Sequence, residues 1–231
     1  MHTLSVKLSR VRIKLFSNKV NKMDSKNIVV LVSGGGTNLQ ALIDAEKRGE
    51  LGNGKITCVI SSKADAYALT RATDNGIKTR VLIRKDYQDI ASYSVAMRDA
   101  LLEEKADLVV YAGFMTILDE NVCDVFENKM INVHPALIPS FCGKGFYGLH
   151  VHESALAKGV KVSGATVHFV TAECDAGPII LQKAVEVAEG DTPESLQKRI
   201  MEQAEWKILP KAVQLFCDGK ITVKDGKTII E

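Results

Sequence analysis

Residues Asn27–Ser33 (NIVVLVS) form a continuous apolar run that ends in three glycines, Gly34–Gly36. A strand with one face in water alternates apolar and polar side chains. A strand without that alternation has both faces covered, as in a parallel sheet flanked by helices. The next stretch, Thr37 to Arg48, reads as a helix with Leu39, Leu42 and Ile43 on one face and Gly49 near its end. Further strands are expected at 55–61, 78–83, 107–112 and 130–133, separated by helices at 64–75, 87–104 and 119–126. Such alternation builds right-handed βαβ units and a doubly wound sheet. Beyond residue 150 the pattern changes. A short helix at 151–158 precedes strands at 161–170 and 178–187, joined by an Asp175-Ala176-Gly177 turn; a long helix near 192–216 and a weak hairpin around 220–230 follow. Closely spaced strands pair antiparallel. The expected fold class is therefore α/β: a Rossmann-like, mostly parallel twisted sheet extended by antiparallel C-terminal strands. One continuous mixed sheet in a single domain over 27–231 is the simplest arrangement.

Composition narrows the function classes. With 46% apolar and 25% charged residues the chain is an ordinary globular protein. No apolar run approaches the roughly 18–20 residues of a membrane helix. Cys58, Cys123, Cys142, Cys174 and Cys217 contain no C-x-x-C pair. That argues for reduced thiols in the cytoplasm rather than a disulfide framework or a zinc site. The net charge of +2 is uneven: Lys7, Arg10, Arg12, Lys14, Lys19 and Lys22 give residues 1–22 a charge of +6, leaving −4 for the rest. A basic arm suits nucleic acid or targeting. The acidic body and Met23, just ahead of the first strand, point instead to a non-functional extension over 1–26 and no nucleic-acid partner.

Three strand ends, Gly34–Gly36, Gly113–Met115 and Asn132–His134, are expected at one crevice, because ligands of open α/β sheets bind beyond the carboxyl ends of the strands. Asn132 and His134 are two apart on a short strand ended by Pro135, so they project side by side. With Asp175 they supply an amide, an imidazole and a carboxylate, a set suited to acyl transfer. Taken singly, each has a plainer reading, as a polar strand cap or as turn chemistry. The loop Ser33–Gln40 joins a strand to a helix start, where backbone N–H groups and the helix dipole favour a phosphate. Thr37 and Asn38 offer further donors; a mere tight turn is the alternative. A dinucleotide fingerprint needs glycine where Leu39 stands and an acid where Ser61-Ser62 stand, and the P-loop lysine is missing. His150-Val151-His152-Glu153 resembles a metal-ligand cluster, but its spacing does not put both imidazoles on one helical face, so no metal is expected. His168 suits a structural role as well as a catalytic one, and Trp206 reads as packing.

The segments SGGGTNLQALI, SSKADAYALTRA, AGFMTIL, INVHPALIP, GLHVHESAL, SGATVHFV and DAGPIILQ together resemble the phosphoribosylglycinamide formyltransferases, over about residues 27–218. The resemblance implies formyl transfer from 10-formyltetrahydrofolate, as co-substrate, to the amine of phosphoribosylglycinamide in purine synthesis. It implies small-molecule partners only, with no metal, nucleic acid or membrane, in the cytoplasm; it leaves the oligomer open. Asn132, His134 and Asp175 fall on the catalytic positions. Gly36, Thr37, Asn38, Leu39 and Gln40 fall on the segment that holds the substrate phosphate. Met115, Thr116, Ile117 and Leu118, with Asn132, fall on folate contacts, and Glu205 matches a carboxylate that meets the substrate ribose. Thr116 stands where many members carry arginine, and Ile90 where some carry a basic folate contact. Residues 141–147 are longer than the shorter family pattern and read as a lid over the crevice or as a static loop. In the mechanism this implies, Asn132 donates to the developing oxyanion, a protonated His134 assists, and Asp175 favours the imidazolium. The alternatives are a 10-formyltetrahydrofolate hydrolase, expected to carry a further domain ahead of the catalytic one, and a non-catalytic nucleotide-binding module.

Overall fold

The computed structural model describes residues 25–231. The basic arm expected at 1–22 lies outside the described residues. Lys26 already belongs to the first strand, β1 (Lys26–Val32). Along β1, Ile28, Val30 and Val32 enter one apolar cluster and Val29 and Leu31 the other, all fully buried. This is the two-sided burial that an uninterrupted apolar run requires. Each such side chain contributes about 1.5–3 kcal/mol relative to exposure, so β1 anchors both layers.

From β1 the chain winds outward through α1 (Thr37–Lys47), β2 (Gly54–Ser61), α2 (Tyr67–Asp74) and β3 (Lys78–Val81). It returns through α3 (Ile90–Glu103) to β4 (Leu108–Tyr111), beside β1, then continues through α4 (Glu120–Val125) to β5 (Met130–His134). After α5 (Leu149–Lys158), β6 (Val162–Phe169) and β7 (Ile179–Glu186) complete the sheet. The order is β3-β2-β1-β4-β5-β6-β7. β1 to β5 pair in parallel and β6 and β7 add antiparallel. Leu39, Leu42 and Ile43 of α1 and Ala68 of α2 pack on one face, with Tyr93, Met97 and Leu101 of α3 and Val122 of α4 on the other.

Three expectations need correction. The 87–104 helix starts at Ile90, because Asp89 and Ser92 form a reciprocal capping box. The terminal hairpin, β8 (Ile221–Lys224) and β9 (Lys227–Ile230), forms its own two-stranded sheet instead of joining the main one. The helix expected over 192–216 is three pieces: α6 (Pro193–Ile200), a π-helical turn (Met201–Glu205) and α7 (Trp206–Cys217). Pro210 inside α7 cannot donate to the preceding turn, so the α-ladder has a missing rung there. In a regular α-helix residue i+8 lies roughly 80° around the axis from residue i. The wider π turn absorbs most of that drift, and Gln197, Met201 and Glu205 all line the same cleft.

Candidate active site

The carboxyl ends of β1, β4 and β5 open into a cleft of ≈ 550 Å³. The helices that follow β1 and β4 cover opposite faces of the sheet, so the connections diverge there and leave a crevice. Ile131 and Val133 of β5 point into the core, while Asn132 and His134 project into the cleft. Across the β5–β6 ladder Asn132 pairs with His168 and His134 with Thr166.

His168 sets the orientation of Asn132. Its Nδ1 donates to the Phe169 carbonyl at 2.8 Å. A carbonyl only accepts, so the ring hydrogen sits on Nδ1 and the Nε2 lone pair accepts from Asn132 Nδ2 at 3.2 Å. One amide N–H is thereby held, and the second is free for a ligand. Sequence reasoning left His168 undecided. Its alternation with Thr166 places the two on one face, but which face depends on register with β5, whose paired residues lie 32 or more positions away in the chain.

Asp175 stands at φ +56 in the turn after β6. Its Oδ1 is 3.5 Å from His168 Nε2 and its Oδ2 is 3.6 Å from His134 Nδ1. The Gly143 N–H donates to Oδ2 at 2.9 Å. Burial pushes the Asp175 carboxyl up, but His168, the Gly143 N–H and His134 together outweigh it and bring it down to about 2. For His134 the balance is reversed. Burial lowers its pKa more than Asp175 and the Phe141 carbonyl raise it. Asp175 favours the imidazolium, as expected; it is the expectation of a protonated His134 that is corrected, because desolvation outweighs that influence. His134 Nε2 donates to the Phe141 carbonyl at 2.8 Å. This places the ring hydrogen on Nε2 and leaves Nδ1, the nitrogen facing Asp175, as a base.

Gly36, at φ +72, precedes α1, and a Cβ there would fall 2.6 Å from Ala68 Cβ. No side chain caps this end and no acid lies in the first turn, so the first-turn N–H groups of α1 have no intrahelical partner. Side chains here are otherwise engaged. Leu39 is core, and the Gln40 amide donates to Asp44 at 2.9 Å and accepts from Arg71 at 3.0 Å. The Thr37 hydroxyl lies 3.7 Å from Met201 Sδ. Asn38, expected to serve an anion, donates instead to Glu205 Oε2 at 2.6 Å. Burial raises the Glu205 carboxyl to about 7, with the Asn38 bond pulling the other way. The donors left without a partner at this end are therefore backbone N–H groups rather than the amides of Asn38 and Gln40.

On the opposite wall, Met115 and Ile117 are 53% and 54% exposed, Thr116 is half-buried and Leu118 turns into the core. The Met115 N–H donates to Ser33 Oγ at 3.0 Å, and that hydroxyl also bonds Ser62 Oγ at 2.7 Å. In residues 141–147 the Phe141 and Phe146 rings pack edge to face at 6.3 Å, while Lys144 and Tyr147 stay exposed. The His-x-His pair separates. His150 is exposed and bonds Glu153 at 2.8 Å. His152 is fully buried in the cleft wall, without a partner at either ring nitrogen, and burial, then His134, lowers it to about 4. Trp206 is half-buried. All five cysteines are free thiols, and no helix among the described residues is long and apolar enough to cross a membrane.

Residues 26–213 match the formyl transferase family. The trifunctional purine biosynthetic protein adenosine-3 of Bos taurus is 43% identical over 202 residues, which are 87% of this chain and 19% of that protein. The chain thus spans only a small part of this longer relative. The phosphoribosylglycinamide formyltransferase of Haemophilus influenzae is 39% identical over 206 residues, 89% of this chain and 94% of its own length. The solved structure of glycinamide ribonucleotide transformylase 1 from Symbiobacterium toebii superposes with a TM-score of 0.84 at 41% identity, covering 89% of this chain and 94% of that one.

Proposed function

The chain belongs to the formyl transferase family, and we infer that it formylates the amine of phosphoribosylglycinamide in purine biosynthesis, with a folate-type carrier as co-substrate. We assign 10-formyltetrahydrofolate as that carrier and the cytoplasm, where thiols stay reduced, as the compartment. The observation that carries this reading is the meeting of Asn132, His134 and Asp175 in one cleft.

The substrate amine attacks the formyl carbon and negative charge develops on the formyl oxygen. The free N–H of Asn132 donates to that oxygen, a type of contact whose loss costs on the order of 10²–10³ in rate. His134 Nδ1 takes the proton the amine must lose. The imidazolium so formed faces Asp175, 3.6 Å away, so the ion pair arises only after proton transfer, when it stabilises the intermediate. The same proton then passes to the folate nitrogen as its bond to the formyl carbon breaks. The first-turn N–H groups of α1 take the substrate phosphate, Glu205 takes the ribose hydroxyls, and Met115–Leu118 flank the folate.

The test is formyl transfer followed as loss of formyl-folate with and without phosphoribosylglycinamide. Amine-dependent loss supports the assignment. Equal loss without the amine indicates a hydrolase, and no loss with either indicates a binding module.

A further inference from the structure

We propose that Lys144 is a specificity residue that binds the carboxylates of the glutamate tail of the folate co-substrate; the proposal rests on the functional reading above. Lys144 is the only lysine or arginine among the described residues that line the cleft, whose carboxylates are Asp175 and Glu205. It is exposed and makes no ion pair or hydrogen bond with any described residue.

Its backbone is well defined. The Phe146 N–H donates to the Gly143 carbonyl at 3.1 Å, which closes a four-residue turn with Lys144 at its second position. Gly145 occupies the third position at φ +99, the left-handed conformation that a type II turn demands there. The Gly143 N–H is bonded to Asp175, and Phe146 packs on Phe141. A short turn tied at both ends therefore presents a long cation at the cleft.

Both substrates carry anions. The phosphate has the uncapped N-terminus of α1, on the side of Asn38 and Glu205. The glutamate tail has no cation on the other wall, where residues 115–118 are Met, Thr, Ile and Leu. Met115, Ile117 and Tyr147, all more than half exposed, give apolar surface on which the flat aminobenzoyl portion of a folate can lie. The anion beyond that ring is then left to Lys144, whose flexible stem suits a carboxylate at a solvent-exposed mouth.

The experiment is steady-state kinetics of wild type, Lys144→Gln and Lys144→Arg at low and moderate salt. The Gln variant is expected to raise the KM for 10-formyltetrahydrofolate about 5–20-fold at low salt, less at moderate salt, with the KM for phosphoribosylglycinamide within about twofold of wild type. The Arg variant restores the folate KM. A 10-formyltetrahydropteroate that lacks the glutamate is expected to bind wild type and Gln variant equally. An unchanged folate KM, an equal loss with the pteroate, or a rise confined to the ribonucleotide KM overturns the assignment. Wild-type protein that transfers no formyl group refutes the functional reading itself, and this proposal with it.

Discussion

Replacing Glu205 by Gln is expected to stabilise the fold at neutral pH while weakening substrate binding. Burial lifts the Glu205 carboxyl from 4.5 to about 7. In the unfolded chain the group loses its proton near 4.5, and in the folded chain it holds on until about 7. The folded state is therefore penalised progressively as pH rises through that window and carries the full penalty above it. A displacement of this size corresponds to about 3 kcal/mol at 1.36 kcal/mol per pH unit. Glutamine has nearly the same shape and its Oε1 still accepts from Asn38, but it does not titrate. The variant should match wild type near pH 4.5 and exceed it by about 2–3 kcal/mol at pH 8, a rise of roughly 4–12 °C in melting temperature for a chain of this size. Urea denaturation at half-unit steps from pH 4.5 to 8.5 gives the difference directly. A stability difference that stays flat across that range would refute the argument, because only a displaced titration makes it pH-dependent. The KM for phosphoribosylglycinamide should rise at least tenfold in the same variant, since the ribose hydroxyls lose an ionised acceptor.

His134→Ala is expected to lower turnover by about 10²–10⁴, the span for a positioned general base; single-turnover rates near wild type would remove it from the chemistry. Asp175→Asn should also slow turnover. It should cost about 2 kcal/mol of stability at neutral pH, because the depressed carboxyl stabilises the fold above pH 3.8 and loses that contribution as pH falls through about 2; equal urea midpoints for variant and wild type at pH 7 would contradict this. Gly36→Ala forces a side chain into the left-handed region and against Ala68, so about 2 kcal/mol of stability and most phosphate affinity should be lost, and an unaffected ribonucleotide KM would show that the loop does not hold the phosphate. Ser33→Ala leaves the Met115 N–H without its acceptor and should raise the folate KM severalfold; calorimetry showing unchanged folate affinity would count against that link.

The parallel layers were legible because β1 carries its burial in its own residues: five consecutive apolar positions, Ile28 to Val32, without alternation admit few structures. Asn132 and His134 were legible for a similar local reason, a two-residue spacing ended by proline. What escaped the sequence is long-range. Whether His168 faces the site depends on antiparallel register with β5. Asn38 is adjacent to the glycine loop, yet its amide is claimed by Glu205, 167 positions away. The protonation of His134 turned on desolvation, which is a property of packing, so the correct partner, Asp175, led to the wrong resting charge. The interruption at Met201–Glu205 left no mark, because apolar spacing around Ile200 and Ala204 fits an unbroken helix about as well.

That π-helical turn makes part of the site depend on how the backbone is wound as well as on residue identity. It holds one residue more than an α-helix needs over the same rise. A chain shortened by one position there, at Gln203 for instance, keeps every side chain implicated in ligand contact. Its flanks, Leu196 and Ile200 before and Leu209 and Val213 after, can still meet the core as a continuous α-helix. Seven α-helical positions then separate Gln197 from Glu205, an offset of roughly 20°, so the shortened chain keeps that carboxylate on the cleft side. A chain of unchanged length wound as a regular α-helix would instead carry it roughly 80° out of phase with Gln197, so straightening the turn costs the site more than removing its extra residue.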